Sequence, residues 1–63
     1  MIFEEVLEEA KLGSLLMLPN YEGYFKWDWS KQELYFYNGG YYKYLTEMQD
    51  QHLENRNDWY YII

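Results

Sequence analysis

The chain has 63 residues, no cysteine, nine tyrosines among fifteen aromatic residues, and a formal net charge of −6. This length allows one domain, residues 1–63, and the lack of cysteine excludes disulfides and thiolate metal sites. The negative charge argues against direct binding of nucleic acid, which needs clustered lysine and arginine to meet the phosphates.

A domain of this size has a marginal core, because it buries only about 60 % of the surface that its unfolded chain exposes. Self-association is one remaining way to stabilise such a fold, so we expect a homo-oligomer. A core this small cannot enclose all the aromatic side chains, and surplus tyrosines are typical of surfaces where partners dock. The alternative is that they only cover a thin sheet.

The longest apolar run, Leu15 to Leu18, is far too short to cross a membrane. The first nine residues contain four glutamates and are unlike a secretory signal. We therefore expect a cytoplasmic protein that has no membrane association.

The first third of the chain predicts a helix over residues 2–12. Phe3, Val6, Leu7 and Ala10 recur at helical spacing, and Gly13 is placed to end the helix in a left-handed conformation. A strand over 14–18 and a turn over 19–23 follow, since proline, asparagine and glycine cluster in the turn.

Alternating side chains then predict three strands. The first begins at Tyr24 and places Phe25, Trp27 and Trp29 on one face, and the second covers 34–37 after a turn over 30–33. Asn38-Gly39 predicts a type I′ hairpin, because that dipeptide supplies both positive-φ positions. The returning strand covers 41–45.

The last segment predicts a short helix and a final strand. Thr46-Glu47-Met48-Gln49 fits a capping box and predicts a helix over 47–54, followed by a polar loop over 55–58 and a strand over 59–63. The fold class is therefore α+β: an N-terminal helix packed on a small antiparallel sheet of about five strands, with a short second helix before the last strand.

The sequence gives little support for catalysis. It contains no pattern of a nucleophile with its base and no glycine-rich phosphate loop. His52 has acidic neighbours but lies in a polar segment, where a solvated histidine is commoner than a general base. We expect a protein that is not an enzyme and needs no cofactor or metal.

Two patterns indicate binding. Lys26 and Lys43 each lie within an aromatic strand, where rings can stack a base while a lysine meets one phosphate. The equal alternative is that both lysines are strand charges that discourage aggregation. Acidity combined with exposed aromatic rings also suits a protein that occupies the basic channel of another protein.

Three segments carry a resemblance to a known family. Phe3 to Gly13 gives an amphipathic helix with Lys-x-Gly, and Pro19 to Gly23 gives a proline–aromatic–glycine turn. Further along, Thr46, Leu53, Asp58, Trp59 and Ile62 follow the order of a Thr-capped helix and an Asp-Trp strand. This layout resembles, in a shortened form, the Thoeris anti-defence sponges. These are small phage proteins whose family includes members described as anti-CRISPR and anti-CBASS proteins.

The resemblance implies a symmetric oligomer that sequesters a cyclic nucleotide immune signal in the host cytoplasm without cleaving it. Phe3, Tyr21, Asp58 and Trp59 are the positions it implies as pocket lining. On this hypothesis Tyr21, Trp59 and Trp27 stack the base and Lys26 or Lys43 meets phosphate. The remaining contacts, from Asp58 and Asn20, are hydrogen bonds to ribose or base edges. The alternative is a protein that binds a bacterial defence protein directly and blocks it.

Overall fold

The computed structural model describes residues 1–49 and 52–63. Its elements are one helix and five strands: α1 (Phe3–Lys11), β1 (Leu15–Met17), β2 (Tyr24–Asp28), β3 (Glu33–Asn38), β4 (Tyr41–Tyr44) and β5 (Tyr60–Ile62). The strands form one antiparallel sheet in the order β4-β3-β2-β1-β5, and α1 packs on one face of it. The predicted α+β class is confirmed.

Helix α1 begins and ends close to the predicted residues. Its C-terminus is a Schellman motif: the N–H of Gly13 donates to the carbonyl of Ala10 at 2.9 Å, and the N–H of Ser14 donates to that of Glu9 at 3.1 Å. Gly13 has φ of +105°, as the motif requires. The apolar stripe of α1 faces the sheet through Val6 and Ala10, which are both buried.

The core lies between α1 and the sheet. Within the described part of the chain it consists of nine buried side chains, and Phe25 on β2 contacts Phe36 and Trp59, with ring centroids 4.9 Å and 5.0 Å away. The full set is Val6, Ala10, Leu16, Leu18, Phe25, Leu34, Phe36, Leu53 and Trp59. Burying a large side chain stabilises a fold by about 1.5–3 kcal/mol, so this small set supplies most of the apolar driving force.

The hairpin between β3 and β4 forms where it was predicted, but its turn is shifted by one residue. Gly39 and Gly40 are the two central residues, with φ of +57° and +109°, whereas Asn38 pairs with Tyr41 at the strand ends. The reason is steric: a pair of glycines adopts two consecutive positive φ angles with no Cβ penalty, so asparagine is not needed there.

The predicted helix over 47–54 is wrong for the described residues. They contain two short 3₁₀ turns instead, Leu45–Glu47 and Leu53–Asn55, while residues 50 and 51 lie outside the described part. Thr46 does not cap a helix, because its hydroxyl donates to a carboxylate oxygen of Glu33 at 2.8 Å. Met48 is already extended, with φ of −78° and ψ of +144°.

Candidate functional site

The sheet has a second face, which α1 does not cover. Strand register places Tyr42, Tyr37 and Tyr24 in one row across β4, β3 and β2, and Tyr44, Tyr35 and Lys26 in the next row. Neighbouring residues of a strand point to opposite faces, so these rows face away from Phe25, Leu34 and Phe36 in the core. We call this surface the open face.

The open face continues as an apolar surface onto the other two strands. Met17 pairs with Tyr60 and Leu15 pairs with Ile62, which extends the two rows across β1 and β5. The face therefore carries six of the nine tyrosines, flanked by aliphatic side chains. Tyr42 is 62 % exposed and Tyr60 is 45 % exposed.

The loop before β2 and the segment after β4 pack on the α1 side of the sheet. Tyr21 from the loop before β2 contacts the rings of Phe25 and Phe36, and Leu45 and Met48 pack against the core. Among residues 1–49 and 52–63, no element packs over the open-face tyrosines. The face is thus available to something outside the chain.

A shallow depression of about 660 Å³ lies on the open face beside the turn after β2. Its lining combines rings with one cation and one carboxylate: Lys26, Trp27, Asp28, Trp29, Ser30, Tyr35, Tyr37, Tyr42 and Tyr44. Of the described residues that line it, Lys26 is the only basic one. Small-molecule sites normally enclose most of their ligand, whereas this depression is wide open.

Three of the rings hold one another in place. Tyr35, Tyr42 and Tyr44 pack edge to face, with centroid distances of 5.8, 6.0 and 6.1 Å and interplanar angles of 67–77°. Edge-to-face packing of this kind is worth about 0.5–1.5 kcal/mol for each pair beyond simple burial. The rings are therefore ordered before any partner arrives.

Asp28 fixes the end of this cluster. One carboxylate oxygen accepts the Tyr44 hydroxyl at 2.6 Å, and the other accepts the backbone N–H groups of Ser30 at 2.8 Å and Lys31 at 3.2 Å. The hydrogen bond from Tyr44 lowers the pKa of Asp28 below its ordinary 3.8, with help from the two backbone donors. The same bond raises the pKa of Tyr44 to about 12.

The two lysines proposed to meet phosphate lie on opposite faces of the sheet. Lys26 pairs with Tyr35 on the open face, whereas Lys43 pairs with the buried Phe36 and points to the α1 side. A single chain therefore does not bring Lys26 and Lys43 to one ligand.

Phe3 and Trp59, predicted to line a pocket, belong to the core region. Trp59 is 1 % exposed, its indole N–H donates to the carbonyl of Leu53 at 3.0 Å, and its ring packs 5.5 Å from that of Phe3. The buried Trp59 ring is therefore not available for stacking within one chain. Phe3 is half-buried and, with Trp27, lines a second depression of about 220 Å³ on the α1 side.

Tyr21 and Asp58 lie near each other through Arg56. The guanidinium of Arg56 sits 5.9 Å from the centre of the Tyr21 ring, and its Nε donates to Asp58 at 2.9 Å. This pairing lowers the pKa of Asp58. Asn20 is exposed in the preceding turn, with φ of +70°. Tyr21 and Asp58 are thus on the α1 side, away from Lys26.

The ring of Trp27 also lies on the α1 side, half-buried under Lys11, whose ammonium is 5.2 Å from it, although Trp27 also reaches the edge of the open-face depression. The indole N–H is buried and finds no acceptor among the described residues. Trp29, predicted on the same strand face, follows the end of β2 and is 63 % exposed. The two rings meet edge to face at 5.6 Å.

The prediction from sequence selected Lys26 from the open face but missed most of its tyrosines. Tyr35, Tyr37, Tyr42 and Tyr44 become one surface only through cross-strand register. The sequence does contain a signal for this register, namely the Gly39-Gly40 turn. A two-residue turn at these glycines pairs Asn38 with Tyr41, and counting back along both strands then places Tyr37 beside Tyr42 and Tyr35 beside Tyr44.

No cluster of histidine, cysteine, aspartate or glutamate suited to a metal ion occurs among the described residues. Over the same part of the chain, no helix has the length and apolar character needed to span a membrane. Comparisons with protein-family models, curated proteins and solved structures found no match to this chain.

Proposed function

We propose that this chain is a non-enzymatic binding domain that docks onto a basic surface of another protein through its open face. The observation that carries this proposal is the pre-ordered layer of tyrosines on a sheet face that no described element covers. Tyrosine offers a large amphipathic contact area with few rotatable bonds, so ordering it on binding loses little entropy.

Charge supports a basic partner. The chain carries eleven acidic and five basic residues, which gives a long-range attraction toward a positive surface and repels acidic ones. Asp28 and Glu33 lie at the end of the open face, where they can meet cations of a partner. The resemblance to anti-defence proteins suggests that the partner is a bacterial defence protein, blocked in the cytoplasm of the infected cell.

The experiment compares two tyrosines of one strand. Tyr42 is 62 % exposed on the open face, and Tyr41 is 55 % exposed on the α1 side, so Tyr41→Ser is a matched control for Tyr42→Ser. Partner recovery from a host lysate, quantified for the wild type and both variants, is expected to fall at least tenfold for Tyr42→Ser alone. Equal recovery with both variants, or no partner at low salt, would remove the proposal.

A second candidate is sequestration of a cyclic nucleotide, favoured by one observation: Lys26 lies beside Tyr35 within the depression of about 660 Å³. Rings there can stack a base while the lysine meets a phosphate. If two copies pack with their open faces together, the depression becomes an enclosed site of the kind a nucleotide needs.

Thermal shift with cyclic ADP-ribose isomers and cyclic dinucleotides tests this candidate. Stabilisation is expected in the wild type and in Lys43→Ala, whose lysine lies on the other face, and not in Lys26→Ala. Heating the complex should release intact nucleotide. No shift with any nucleotide at millimolar concentration rejects the candidate and leaves the protein-docking proposal as it was.

A further inference from the structure

Strand β4 forms one edge of the sheet. It pairs with β3 alone among the described residues, and the side chains of Tyr42 and Tyr44 lie on the open face. An edge strand presents backbone N–H and C=O groups that another chain can use. The edge of β4 therefore adjoins the surface to which the proposed function assigns binding.

The hairpin register shows which backbone groups of β4 point outward. Asn38 and Tyr41 flank a two-residue turn, so their backbone groups bond to each other, and the pattern then alternates along the strands. Tyr41 and Lys43 thus bond inward to β3, while the N–H and C=O of Tyr42 and the N–H of Tyr44 point away from it. The carbonyl of Tyr44 is already used, because Tyr44 is the N-cap of the 3₁₀ turn Leu45–Glu47. Tyr42 and Tyr44 are the two residues whose rings order the open face.

We infer that β4 accepts an extended, arginine-rich segment of the partner as a sixth strand of the sheet. This inference rests on the proposed function and specifies how the partner docks. Partner residues opposite Tyr42 and Tyr44 lie on the open face by the same alternation. Arginine suits these positions because its planar guanidinium stacks on tyrosine rings and the chain is acidic.

A second copy of this chain fits the edge less well. Antiparallel pairing of β4 with its own copy places Lys43 opposite Tyr41 when it is centred on Tyr42, and opposite Lys43 when it is centred on Lys43. Like charges in facing positions destabilise a strand pair. Each copy also carries a net charge of −6, so two acidic molecules repel each other.

The size of the open face gives a further reason for strand addition. The molecule measures 26 × 23 × 19 Å, and five strands about 4.8 Å apart make a sheet only about 20 Å across. A standard protein interface buries about 800 Å² of each partner. A strand beside β4 adds main-chain hydrogen bonds and widens the contact surface.

The test uses a capped eight-residue peptide of alternating arginine and valine, with the same peptide carrying glutamate for arginine as its control. Chemical synthesis of the chain with N-methyltyrosine at position 42 keeps the side chain and removes only the outward N–H. Thermal unfolding should be unchanged by this replacement, because that N–H does not bond to β3. Titration calorimetry should show binding of the arginine peptide and at least tenfold weaker binding to the N-methylated protein.

Three results would overturn the inference: equal affinity for the glutamate peptide, equal affinity of the N-methylated protein, or self-association through β4 that blocks the peptide. Equal affinity after N-methylation would mean that only charge attracts the arginine peptide. If Tyr42→Ser weakens partner recovery while N-methylation does not, the open face binds without strand addition. The failure of this inference is therefore distinct from failure of the proposed function.

Discussion

At the scale of single residues, Asp28 does more than end a strand. One carboxylate holds the turn after β2 through two backbone N–H groups and also accepts the hydroxyl of Tyr44, two strands away. Strand alternation places Asp28 only on the face opposite Phe25 and Trp27. Its partner could not be predicted, because Tyr44 reaches Asp28 only when β3 lies between their strands in the observed register.

The hydrogen bond from Tyr44 to Asp28 should make stability depend on pH at both extremes. The pKa of Asp28 is lowered from 3.8, so the stabilisation is complete above about pH 4 and is lost as pH falls through the folded pKa. The pKa of Tyr44 is raised from 10 to about 12, so the same stabilisation is complete below pH 10 and is lost toward pH 12.

Tyr44→Phe should therefore lower stability at pH 7 and flatten the loss of stability at both ends of the pH range. The control is Tyr42→Phe, because the Tyr42 hydroxyl has no hydrogen-bond partner among the described residues. Urea unfolding measured from pH 2 to pH 12 provides the readout. If both variants keep the pH profile of the wild type, the hydrogen bond does not form in solution.

Gly23 is a second residue whose role appears only in three dimensions. It precedes β2 with φ of +148°, and a Cβ there would lie 2.3 Å from the backbone carbonyl oxygen of Tyr37. The sequence marks it as a turn glycine. Its close approach to β3 depends on sheet packing and could not be predicted from its neighbours.

Gly23→Ala should destabilise the fold by about 2 kcal/mol more than Gly13→Ala, since a Cβ at Gly23 forces the strands apart. Gly13 is the matched control: its φ is also positive, at +105°, but a Cβ there meets nothing within 4 Å. Urea unfolding of the two variants measures the difference. Equal destabilisation would show that only the positive φ matters.

At the scale of elements, the sequence predicted the structures that depend only on neighbouring residues. The Schellman end of α1 and the hairpin position follow from glycines, whose freedom at positive φ depends on their own backbone. Among the described residues of 47–54, the predicted helix does not form, and the Thr46 hydroxyl that was expected to cap it bonds to Glu33 on β3. The conformation at Thr46 therefore depends on a contact with a distant residue, which its sequence neighbours do not reveal.

The hairpin itself gives the clearest test at this scale. Gly39→Val should destabilise the fold by about 1–2 kcal/mol, because a β-branched residue resists φ of +57°. Gly39→Asn should cost less, since asparagine tolerates this conformation. Thermal unfolding followed by circular dichroism compares the two. If both variants are equally stable, Gly39 does not occupy a positive-φ position of the turn and the turn assignment is wrong.

At the scale of the whole molecule, the sheet separates two sets of aromatic residues. One set fills the core beneath α1, and the other, mostly tyrosine, forms the open face. Several residues predicted as ligand contacts, such as Trp59 and Phe3, belong to the first set. Sequence could not assign aromatic residues to faces on all strands, because the face of each depends on register and strand order.

Self-association stays a prediction from the small core and surplus aromatic surface. Light scattering at tens of micromolar is expected to give a mass above the 7.9 kDa of one chain. If the open face mediates this contact, Tyr42→Ser should shift the mass toward the monomer and Tyr41→Ser should not. A monomer in the wild type would contradict the expectation and leave the open face free for a partner.

The central claim is that a partner contacts the open face, and photo-crosslinking tests it without knowledge of the partner. Benzoylphenylalanine replaces Tyr42 in one protein and Tyr41 in another, two exposed positions on opposite faces of β4. Irradiation in host lysate is predicted to give a crosslinked product from position 42 and none from position 41. Equal products from both positions, or a product from position 41 alone, would contradict the account.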